Sequence, residues 1–326
     1  MDRQFISSND NILFSEMDSC DKALYMNELN DYVIEYRNSL GLNNSVTFGT
    51  EIEYEGVNKE IVDKIIDENF TSFKSMTEPN IHVGGEVVSI PLRDNINNWT
   101  DLKDILKLLE LSDGIIKDNK TSSHVHVGAN ILRNYDNLIK FILLYGVYEG
   151  IIYRFGYMNR LNPRESMISC APPFSIDLAN NYPDIINNKS VKNIKLMFDR
   201  FHGVNFNNLS SLKNYGYRNT IEFRMANGTL DPVLWQNIIN LYTKMLLRCT
   251  KDMDIDYLEY LLFKINYSRS NYYGFDNLSL TNAFDFADIV FDDMLDKTNF
   301  IKQYYKDGSE TTSSFNPRIV KNLTRY

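Results

Sequence analysis

Acidic side chains occupy every second position in the stretch FGTEIEYEG, residues 48–56. Glu51, Glu53 and Glu55 alternate there with Ile52 and Tyr54. Because successive side chains of a β-strand project from opposite faces, this period of two predicts a strand with three carboxylates on one face and apolar side chains on the other. Carboxylates roughly 7 Å apart on one strand face repel each other. The stretch therefore predicts either an exposed edge strand or a central strand whose charges are offset by cations such as a metal.

Three further stretches show the same division between an ionisable face and an apolar face. They are SHVHVG with His124 and His126, GGEVVS with Glu86, and RNTIEFRM with Arg218, Glu222 and Arg224. Salt bridges at a sheet edge explain any one of these stretches alone. Together they predict a concave sheet face lined with carboxylates, imidazoles and guanidiniums. Carboxylate oxygens with a nitrogen ligand suit Mg²⁺ or Mn²⁺, and arginines recognise phosphate or carboxylate, so the combination indicates phosphate chemistry.

Composition and missing motifs exclude several classes of protein. The chain has 326 residues, 43% of them hydrophobic, and a formal net charge of −9, which predicts a soluble globular protein and argues against a general nucleic-acid binder. No GxxxxGK[ST], strand-linked GxGxxG or GxSxG motif is present, which argues against P-loop, dinucleotide-binding and serine-hydrolase sites. Cys20, Cys170 and Cys249 are far apart and lack CxxC spacing, which indicates a reducing compartment and no structural zinc site.

Two segments bear on location. The stretch MDRQFISSNDNILF lacks the apolar region of a secretory signal. The most apolar helix candidate, from Leu138, is interrupted by Lys140, Glu149 and Arg154, which favours a buried helix over a membrane span. We expect a cytoplasmic protein without a membrane partner.

Predicted helices and strands follow each other irregularly, which indicates an α+β fold. A helix is expected at 21–40 before Gly41, another at 58–70, and a β-hairpin at 73–94. Further helices are expected at about 98–111, with Asn98 or Thr100 as cap, and near 136–156, 190–201 and 231–248. Strands are expected in SHVHVGAN, GVNFNNLS and RNTIEFRMAN, and a helical tail from about residue 251.

The ordered motifs FGTEIEYEG, GGEVVSIPL, SSHVHVG and NTIEFRMANGTLD resemble those of an amidoligase family. This family is related to glutamine synthetase and glutamate-cysteine ligase within the carboxylate-amine ligase superfamily. The resemblance runs from Phe48 to Leu247. Two departures are Ile90, where many members carry a proline, and Ser122-Ser123, where a glycine is common.

The resemblance implies a curved antiparallel sheet of the glutamine synthetase catalytic type, flanked by helices. It implies a helical N-terminal lead at 1–44, an amidoligase-like catalytic domain at 45–250, and a helical C-terminal extension at 251–326 packed on that domain. The implied reaction transfers the γ-phosphoryl group of ATP to a carboxylate and lets an amine attack the acyl phosphate. The partners would be small-molecule or peptide carboxylates and amines.

The resemblance also implies roles for the motif residues, with Mg²⁺ or Mn²⁺ and ATP as cofactors. Glu51, His124 and Glu222 would hold the metal nearest the transferring phosphoryl group, and Glu53 and Glu86 the metal nearer the substrate. His126 and Arg224 would contact phosphate oxygens. Arg218 is a further candidate for phosphate and Arg164 for a substrate carboxylate, while Glu55 is expected at the site mouth or in solvent.

Two alternatives to an amide ligase stay open at this point. A metal-dependent hydrolase would use the HxH pair and the acids to bind a metal that activates water. A non-catalytic binding protein would keep the scaffold without turnover. Nucleotide binding separates the ligase from the hydrolase.

Overall fold

A computed structural model describes residues 5–6, 11–114, 116, 120–198, 200–213, 218–264, 275 and 277–309. Within them, six strands form an open antiparallel sheet in the order β2-β3-β1-β4-β6-β5. The strands are β1 (Phe48–Glu55), β2 (Phe73–Met76), β3 (Gly84–Ser89), β4 (Ser122–Gly128), β5 (Val204–Asn205) and β6 (Thr220–Asn227). Helices and sheet together confirm the α+β class.

Helices precede, interrupt and follow the strands. They are α1 (Ser19–Asp31), α2 (Lys59–Asn69), α3 (Ile96–Leu111), α4 (Tyr135–Gly156), α5 (Met167–Cys170), α6 (Ser175–Asn187), α7 (Val191–Met197), α8 (Pro232–Arg248), α9 (Ile255–Lys264), α10 (Asn277–Val290) and α11 (Met294–Tyr305). None of the helices in the described ranges has both the length and the apolar character needed to cross a bilayer.

The acidic strand β1 lies inside the sheet, between β3 and β4. Its apolar side chains Ile52 and Tyr54 are buried on the face opposite the glutamates. On that apolar face of the sheet, Phe223 of β6 stacks on Tyr242 of α8 with ring centroids 4.0 Å apart, and Phe141 of α4 meets it edge-on at 5.8 Å. Helices α4 and α8 therefore back the sheet at β6 and β4, which stabilises these strands without covering the carboxylate face.

Local sequence signals fix the ends of several helices. Asp231 accepts a hydrogen bond from the Val233 N–H at the start of α8, and Pro232 occupies the first helical position, as predicted. The cap of α3 is Asn95, which accepts from the Asn98 N–H; the predicted caps Asn98 and Thr100 are wrong because α3 begins earlier, at Ile96.

The predicted helix at 21–40 is wrong at its C-terminal end. Helix α1 ends at Asp31 and the chain continues without helix from Tyr32. Tertiary contacts explain the difference, because the backbone N–H and C=O of Arg37 both bond to the side chain of Gln236 in α8. These bonds replace helical ones and hold the segment against the core. Helix α6 lies in a stretch for which no element is predicted, and the predicted strand GVNFNNLS is reduced to Val204–Asn205.

The first and last described segments are tied to each other. Lys297 of α11 is fully buried, and its ammonium binds Asp288 at 2.8 Å and the Ile12 carbonyl at 2.9 Å. The Asp288 carboxylate also accepts the backbone N–H groups of Phe14 and Ser15. The hydrophobic core runs without a break from Phe14 through the sheet to these C-terminal helices. The boundaries at 44/45 and 250/251 stay a prediction.

Gly84, at the start of β3, provides a test of how strand β3 is held against β1. Its φ is +143°, and a Cβ there would lie 2.1 Å from the Tyr54 carbonyl oxygen. Gly41 has φ +70° with no atom within 4 Å of a built Cβ. We expect Gly84→Ala to lower the free energy of unfolding by about 3 kcal/mol through strain and clash, and Gly41→Ala to lower it by only about 1 kcal/mol through strain. Urea unfolding measures the free energy of unfolding of both variants. Equal losses in the two variants would contradict the close approach of Gly84 to the Tyr54 carbonyl.

Candidate active site

The register of the sheet brings the predicted acids and imidazoles to one face. Residues paired across antiparallel strands share a face, and the pairs are Glu51 with His124, His126 with Glu222, and Glu53 with Glu86. These side chains lie on four adjacent strands, β3, β1, β4 and β6. The alternation in the sequence therefore predicts the face correctly, and the register sets which charges meet.

Glu51 lies at the centre of the site, between two imidazoles. Its Oε2 is 2.8 Å from His124 Nδ1 and its Oε1 is 2.8 Å from His126 Nε2. Burial by itself raises the pKa of the Glu51 carboxyl, but the hydrogen bonds and charges of the two histidines outweigh it and hold the pKa far below its usual range. Burial by itself lowers the pKa of His126, but its bond to Glu51 and the charges of Glu51 and Glu222 together raise it. The His126 Nδ1 contacts Thr220 Oγ1 at 3.1 Å. Glu51 is thus a fixed anion.

Ser122 holds Glu53, the next acid along β1. The backbone N–H and the hydroxyl of Ser122 donate to the two carboxylate oxygens of Glu53 at 2.7 and 2.6 Å. The same hydroxyl oxygen lies 2.8 Å from His124 Nε2. Ser122 is one of the two serines that depart from the resembled family, and here the departure supplies a side chain that orients both Glu53 and His124.

Glu222 joins the site to its guanidinium. Asn205 Nδ2 donates to Glu222 Oε2 at 2.7 Å, and Arg224 Nη1 donates to Glu222 Oε1. Glu222 is also 3.9 Å from His124 Nδ1. The Arg224 Nε is buried and has no hydrogen-bond partner among the described residues. A buried donor without an acceptor is costly, so this nitrogen is suited to an incoming anion.

Glu86 is the acid without a neutralising partner. Its carboxylate makes no hydrogen bond or ion pair within the described ranges. Burial raises the pKa of the Glu86 carboxyl to about 9, and the negative charges of the neighbouring glutamates add to the rise. Without a cation, Glu86 is therefore a neutral acid at pH 7. A bound cation would convert it to a carboxylate ligand.

Three sets of side chains have ligand atoms within 4.8 Å of one another and could hold a metal ion: Glu51, His126 and Glu222; Glu51, Glu86 and His124; and Glu53, Glu78 and Glu86. Carboxylate oxygens with one imidazole nitrogen, or oxygens alone, are the donors that Mg²⁺ and Mn²⁺ take. The residues present therefore fit the predicted divalent cations. In this grouping His126 stands with Glu222 and His124 with Glu86, so the division of roles between the two histidines stays a prediction.

A β-bulge shapes the end of the site near Glu53. Ser122 pairs with Asn227, whereas unbroken alternation from the His126–Glu222 pair would place Ala226 opposite it. The extra residue lies in β6, between Phe223 and Ala226, and moves Asn227 to the site face. A bulge re-aims side chains, so it allows both Glu222 and Asn227 to face the same side.

Arg164 is buried beside this bulge. Its guanidinium donates to the backbone carbonyls of Arg224, Met225 and Ala226 at 2.8, 3.1 and 2.7 Å, and its backbone N–H donates to Asn227 Oδ1. The predicted role of Arg164 in binding a substrate carboxylate stays a prediction, but four of its donors are already used by β6. These hydrogen bonds from Arg164 support the bulged strand β6.

Arg218 and Glu55 occupy different surroundings. Arg218 is exposed and lines a cavity that also contains Glu51 and His126, so it lies on the predicted side of the site. Glu55 is only 3% exposed. A position in solvent is therefore wrong. Glu55 pairs with Gly84 of β3 and, by alternation along β1, lies on the same face as Glu51 and Glu53.

Glu78 and Asn205 belong to the site but are absent from the residues predicted from sequence. Glu78 follows β2 in the hairpin loop, two positions beyond Met76, which pairs with Glu86. A period-two count carried past the end of β2 would have placed Glu78 on the face of Glu86. Asn205 lies on a strand of two residues, which gives no periodic signal.

No protein family and no curated protein matches the sequence. The resemblance to the amidoligases therefore rests on the four motifs alone.

Glu86 makes stability depend on pH when no metal is bound. Because its pKa rises from an ordinary value of 4.5 to about 9 on folding, the folded state binds more protons than the unfolded state between these values. The contribution of Glu86 is complete below the lower value and is lost as pH rises towards the upper one. We expect the melting temperature in EDTA to fall between about pH 6 and pH 9, with Glu86→Gln removing part of the fall.

Thermal scans of wild type, Glu86→Gln and Glu68→Gln check this pH dependence. Glu68 is exposed on α2, so its variant controls for the loss of one carboxylate. An identical slope in wild type and Glu86→Gln would contradict the raised pKa. Added Mn²⁺ should flatten the wild-type slope, because the cation stabilises the ionised carboxylate.

Metal binding itself is a separate test. We expect saturating Mg²⁺ or Mn²⁺ to stabilise the fold by roughly 2–3 kcal/mol at a hundredfold excess over Kd. Glu51→Gln and Glu53→Gln should lose most of this effect, while Glu68→Gln keeps it. Calorimetry in buffers of different ionisation enthalpy should report release of at least about one proton at pH 7, since Glu86 loses its proton when the cation binds and a protonated imidazole that becomes a ligand loses one as well. A melting temperature that neither Mg²⁺ nor Mn²⁺ changes would contradict the metal site.

Proposed function

We propose that the protein is an ATP-dependent carboxylate-amine ligase that works through an acyl phosphate. The observation that supports this most strongly is the meeting of two unlike features on one sheet face. One is a set of carboxylates suited to divalent cations, and the other is Arg224, whose buried Nε lacks an acceptor. Acids alone would suit a metal store, whereas Arg224 has, beside its ion pair with Glu222, a buried donor without an acceptor among the described residues, which suits an anionic ligand such as phosphate.

The proposed roles follow the charges of the site. Glu51, Glu222, His124 and His126 would hold one divalent cation, and Glu53 and Glu86, with Glu78, a second. When bound, Mg²⁺ or Mn²⁺ would neutralise phosphoryl charge and so favour transfer to a carboxylate. Glu51 stays ionised because two imidazoles bond to it, so it can serve as a permanent cation ligand.

Arg224 would orient the phosphoryl group. Glu222 fixes one end of the guanidinium through Nη1, which leaves Nε to donate to a phosphate oxygen. Donors positioned before the reaction stabilise charge that develops in the transition state without reorganising. The backing of β6 by α4 and α8 supports that rigidity, because Phe223, between Glu222 and Arg224, is packed in the core.

The glutamine synthetase-type fold is part of the same proposal. An open antiparallel sheet with its site on one face and helices on the other agrees with that expectation. The substrates would be a small-molecule or peptide carboxylate and an amine.

A metal-dependent hydrolase is the second candidate, because Glu51, His126 and Glu222 could hold one cation that activates water. Arg224 has no evident part in such a reaction, so the site favours the ligase. The two candidates differ in their need for nucleotide, and the experiment below turns on that difference.

The ligase must activate a carboxylate before an amine can attack it. We expect ADP release to depend on the carboxylate substrate, and hydroxylamine to trap the activated acyl group as a hydroxamate. Pooled amino acids, then peptides, serve as acyl donors. Glu222→Gln should lower hydroxamate formation by at least about a hundredfold, as expected when charge at a developing phosphoryl group is lost.

Arg224→Lys keeps the positive charge but loses the planar guanidinium. We therefore expect it to lower hydroxamate formation about as much as Glu222→Gln does, with an unchanged melting temperature. Glu68→Gln should retain full activity. Amide cleavage that proceeds without nucleotide would replace the ligase with the hydrolase.

A further inference from the structure

The edge strand β2 directs part of its backbone away from the sheet. It is the first strand in the sheet order and pairs with β3 on one side. The Ile90 N–H donates to the Ser72 carbonyl at 2.9 Å, so these two residues form a hydrogen-bonded pair. Hydrogen-bonded and non-hydrogen-bonded pairs alternate along an antiparallel ladder. Phe73 and Ser75 therefore point their backbone N–H and C=O groups away from β3, to the open edge.

These backbone groups of Phe73 and Ser75 have no hydrogen-bond partner within the described ranges. A close approach supports the alternation: a Cβ built on Gly85 of β3 would lie 2.7 Å from the Met76 carbonyl oxygen, so this oxygen points towards β3. Phe70, directly after α2, meets Phe73 edge-on with ring centroids 6.5 Å apart, which places this packing on the face opposite the site. Unpaired donors and acceptors at a sheet edge can bind a further strand.

The side chains that alternate with Phe73 and Ser75 belong to the site face. Lys74 pairs with Val88, which pairs with Glu51, so these three side chains share that face. Lys74 is exposed and makes no hydrogen bond or ion pair with a described residue. Lys74 and Met76 line a cavity of about 810 Å³ that extends to Glu51. The open edge and the proposed active site are thus connected along one surface.

An added antiparallel strand would run towards Glu51. Antiparallel pairing is slightly more stable than parallel pairing. Strand β2 runs from Phe73 to Met76, so the added strand would pass Met76 first and leave the edge beside Phe73. Phe73 pairs with Ser89, and Ser89 and Arg93 line the cavity. The C-terminal end of the added strand would therefore reach the cavity that contains Glu51.

The residue that faces Lys74 would decide which chain binds. Because Phe73 and Ser75 would form the hydrogen-bonded pairs with the added strand, the residue facing Lys74 would lie in a non-hydrogen-bonded pair, where side chains approach most closely. An acidic side chain at that position would face the Lys74 ammonium on the site face. Two positions earlier, the added strand would face Met76, which favours an apolar side chain.

Protection of the edge is the other role of an exposed lysine, since charged side chains discourage unwanted strand pairing. Two observations favour docking over protection. Met76 is 49% exposed, and this apolar surface beside an open backbone does not discourage pairing. Arg93 and Arg218 line the same cavity as Lys74, in a chain whose formal net charge is −9. Concentrated positive charge attracts an acidic ligand.

We propose that the open edge of β2 binds the C-terminal segment of an acidic polypeptide as an additional strand, and that its terminal carboxylate enters the cavity as the group to be activated. This inference rests on the proposed ligase function. It narrows the carboxylate substrate from any small molecule or peptide to the end of an extended chain. The expected pattern is an apolar residue, any residue, an acidic residue, and then the chain end.

Fluorescence anisotropy with the full chain in Mg²⁺, without nucleotide, tests the docking. The probe is a fluorescein-labelled peptide of threonines with one valine, a glutamate two positions later and a free C-terminal carboxylate. Ser75→Pro removes the N–H that points to the open edge and keeps the ladder with β3, since proline is tolerated at such a position. We expect Ser75→Pro to weaken binding by about tenfold or more. Ser75→Ala keeps this N–H and loses the hydroxyl that lies 3.5 Å from the Tyr54 hydroxyl, so its affinity should stay within about twofold of wild type.

Two further comparisons do not depend on the proline variant. N-methylation of the threonine between valine and glutamate, and of the threonine after glutamate, should weaken binding by about tenfold or more, because these residues would bond to Ser75 and Phe73. N-methylation of valine and glutamate should change binding little, because their N–H groups would point away from β2. Lys74→Glu should weaken binding of the glutamate peptide and strengthen binding of the same peptide with lysine in place of glutamate.

Each outcome bears on the docking separately from the ligase reaction. Equal effects of the two kinds of N-methylation, or no saturable binding up to about 1 mM peptide, overturn the added strand and leave a protected edge. Unchanged peptide preference in Lys74→Glu overturns the acidic part of the pattern. Hydroxamate formed from free amino acids, without peptide binding, overturns this inference and retains the ligase. Edge-dependent peptide binding without hydroxamate in ATP and hydroxylamine supports the docking and removes the ligase function.

Discussion

The whole arrangement depends on the repulsion between carboxylates on one face of β1. A strand with glutamates at alternate positions in the middle of a sheet is stable only if other groups neutralise or hydrogen-bond those carboxylates. Two imidazoles bond to Glu51, and a serine donates hydrogen bonds to Glu53. An arginine and an asparagine donate hydrogen bonds to Glu222. Glu86 is left with a raised pKa and takes a proton instead. Of these four acids, Glu86 is the one whose charge no hydrogen bond or ion pair within the described residues offsets, and a bound cation would offset it.

The apolar face of the same strands stabilises the sheet and so offsets the cost of concentrating charge on the opposite face. Ile52, Val125, Ile221 and Phe223 are buried, and Phe223 packs against Phe141 of α4 and Tyr242 of α8. Glu51, Glu53, His124, His126 and Glu222 each lie next to one of these residues in the sequence, so any slip of register by one residue would bury the acids and expose the core. The packing of α4 and α8 therefore fixes the chemistry of the opposite face through register, although neither helix contributes a predicted site residue.

Much of the site could be predicted from the sequence, and the reason is local. Glu51, His124, His126 and Glu222 lie in long alternating strands, where position in the sequence determines the face directly. Glu78 and the bulge in β6 depend on which residues pair across strands, and pairing is decided by tertiary contacts. Arg164 lies in an irregular stretch whose path has no periodic signal. Helix α1 ends early for a similar reason, since Gln236 bonds to the backbone of Arg37 from a distant helix.

The contacts of Lys297 and Asp288 determine which part of the fold forms last during synthesis. Asp288 accepts the Phe14 N–H across 274 residues of chain, so the N-terminal segment has no such acceptor until α10 has been synthesised. Contacts between distant parts of a chain are slow to form, since the loop between them must first be closed. During translation the acidic strands therefore emerge well before the helices that join the two ends. Closure of the molecule awaits α10 and α11, among the last described elements to leave the ribosome.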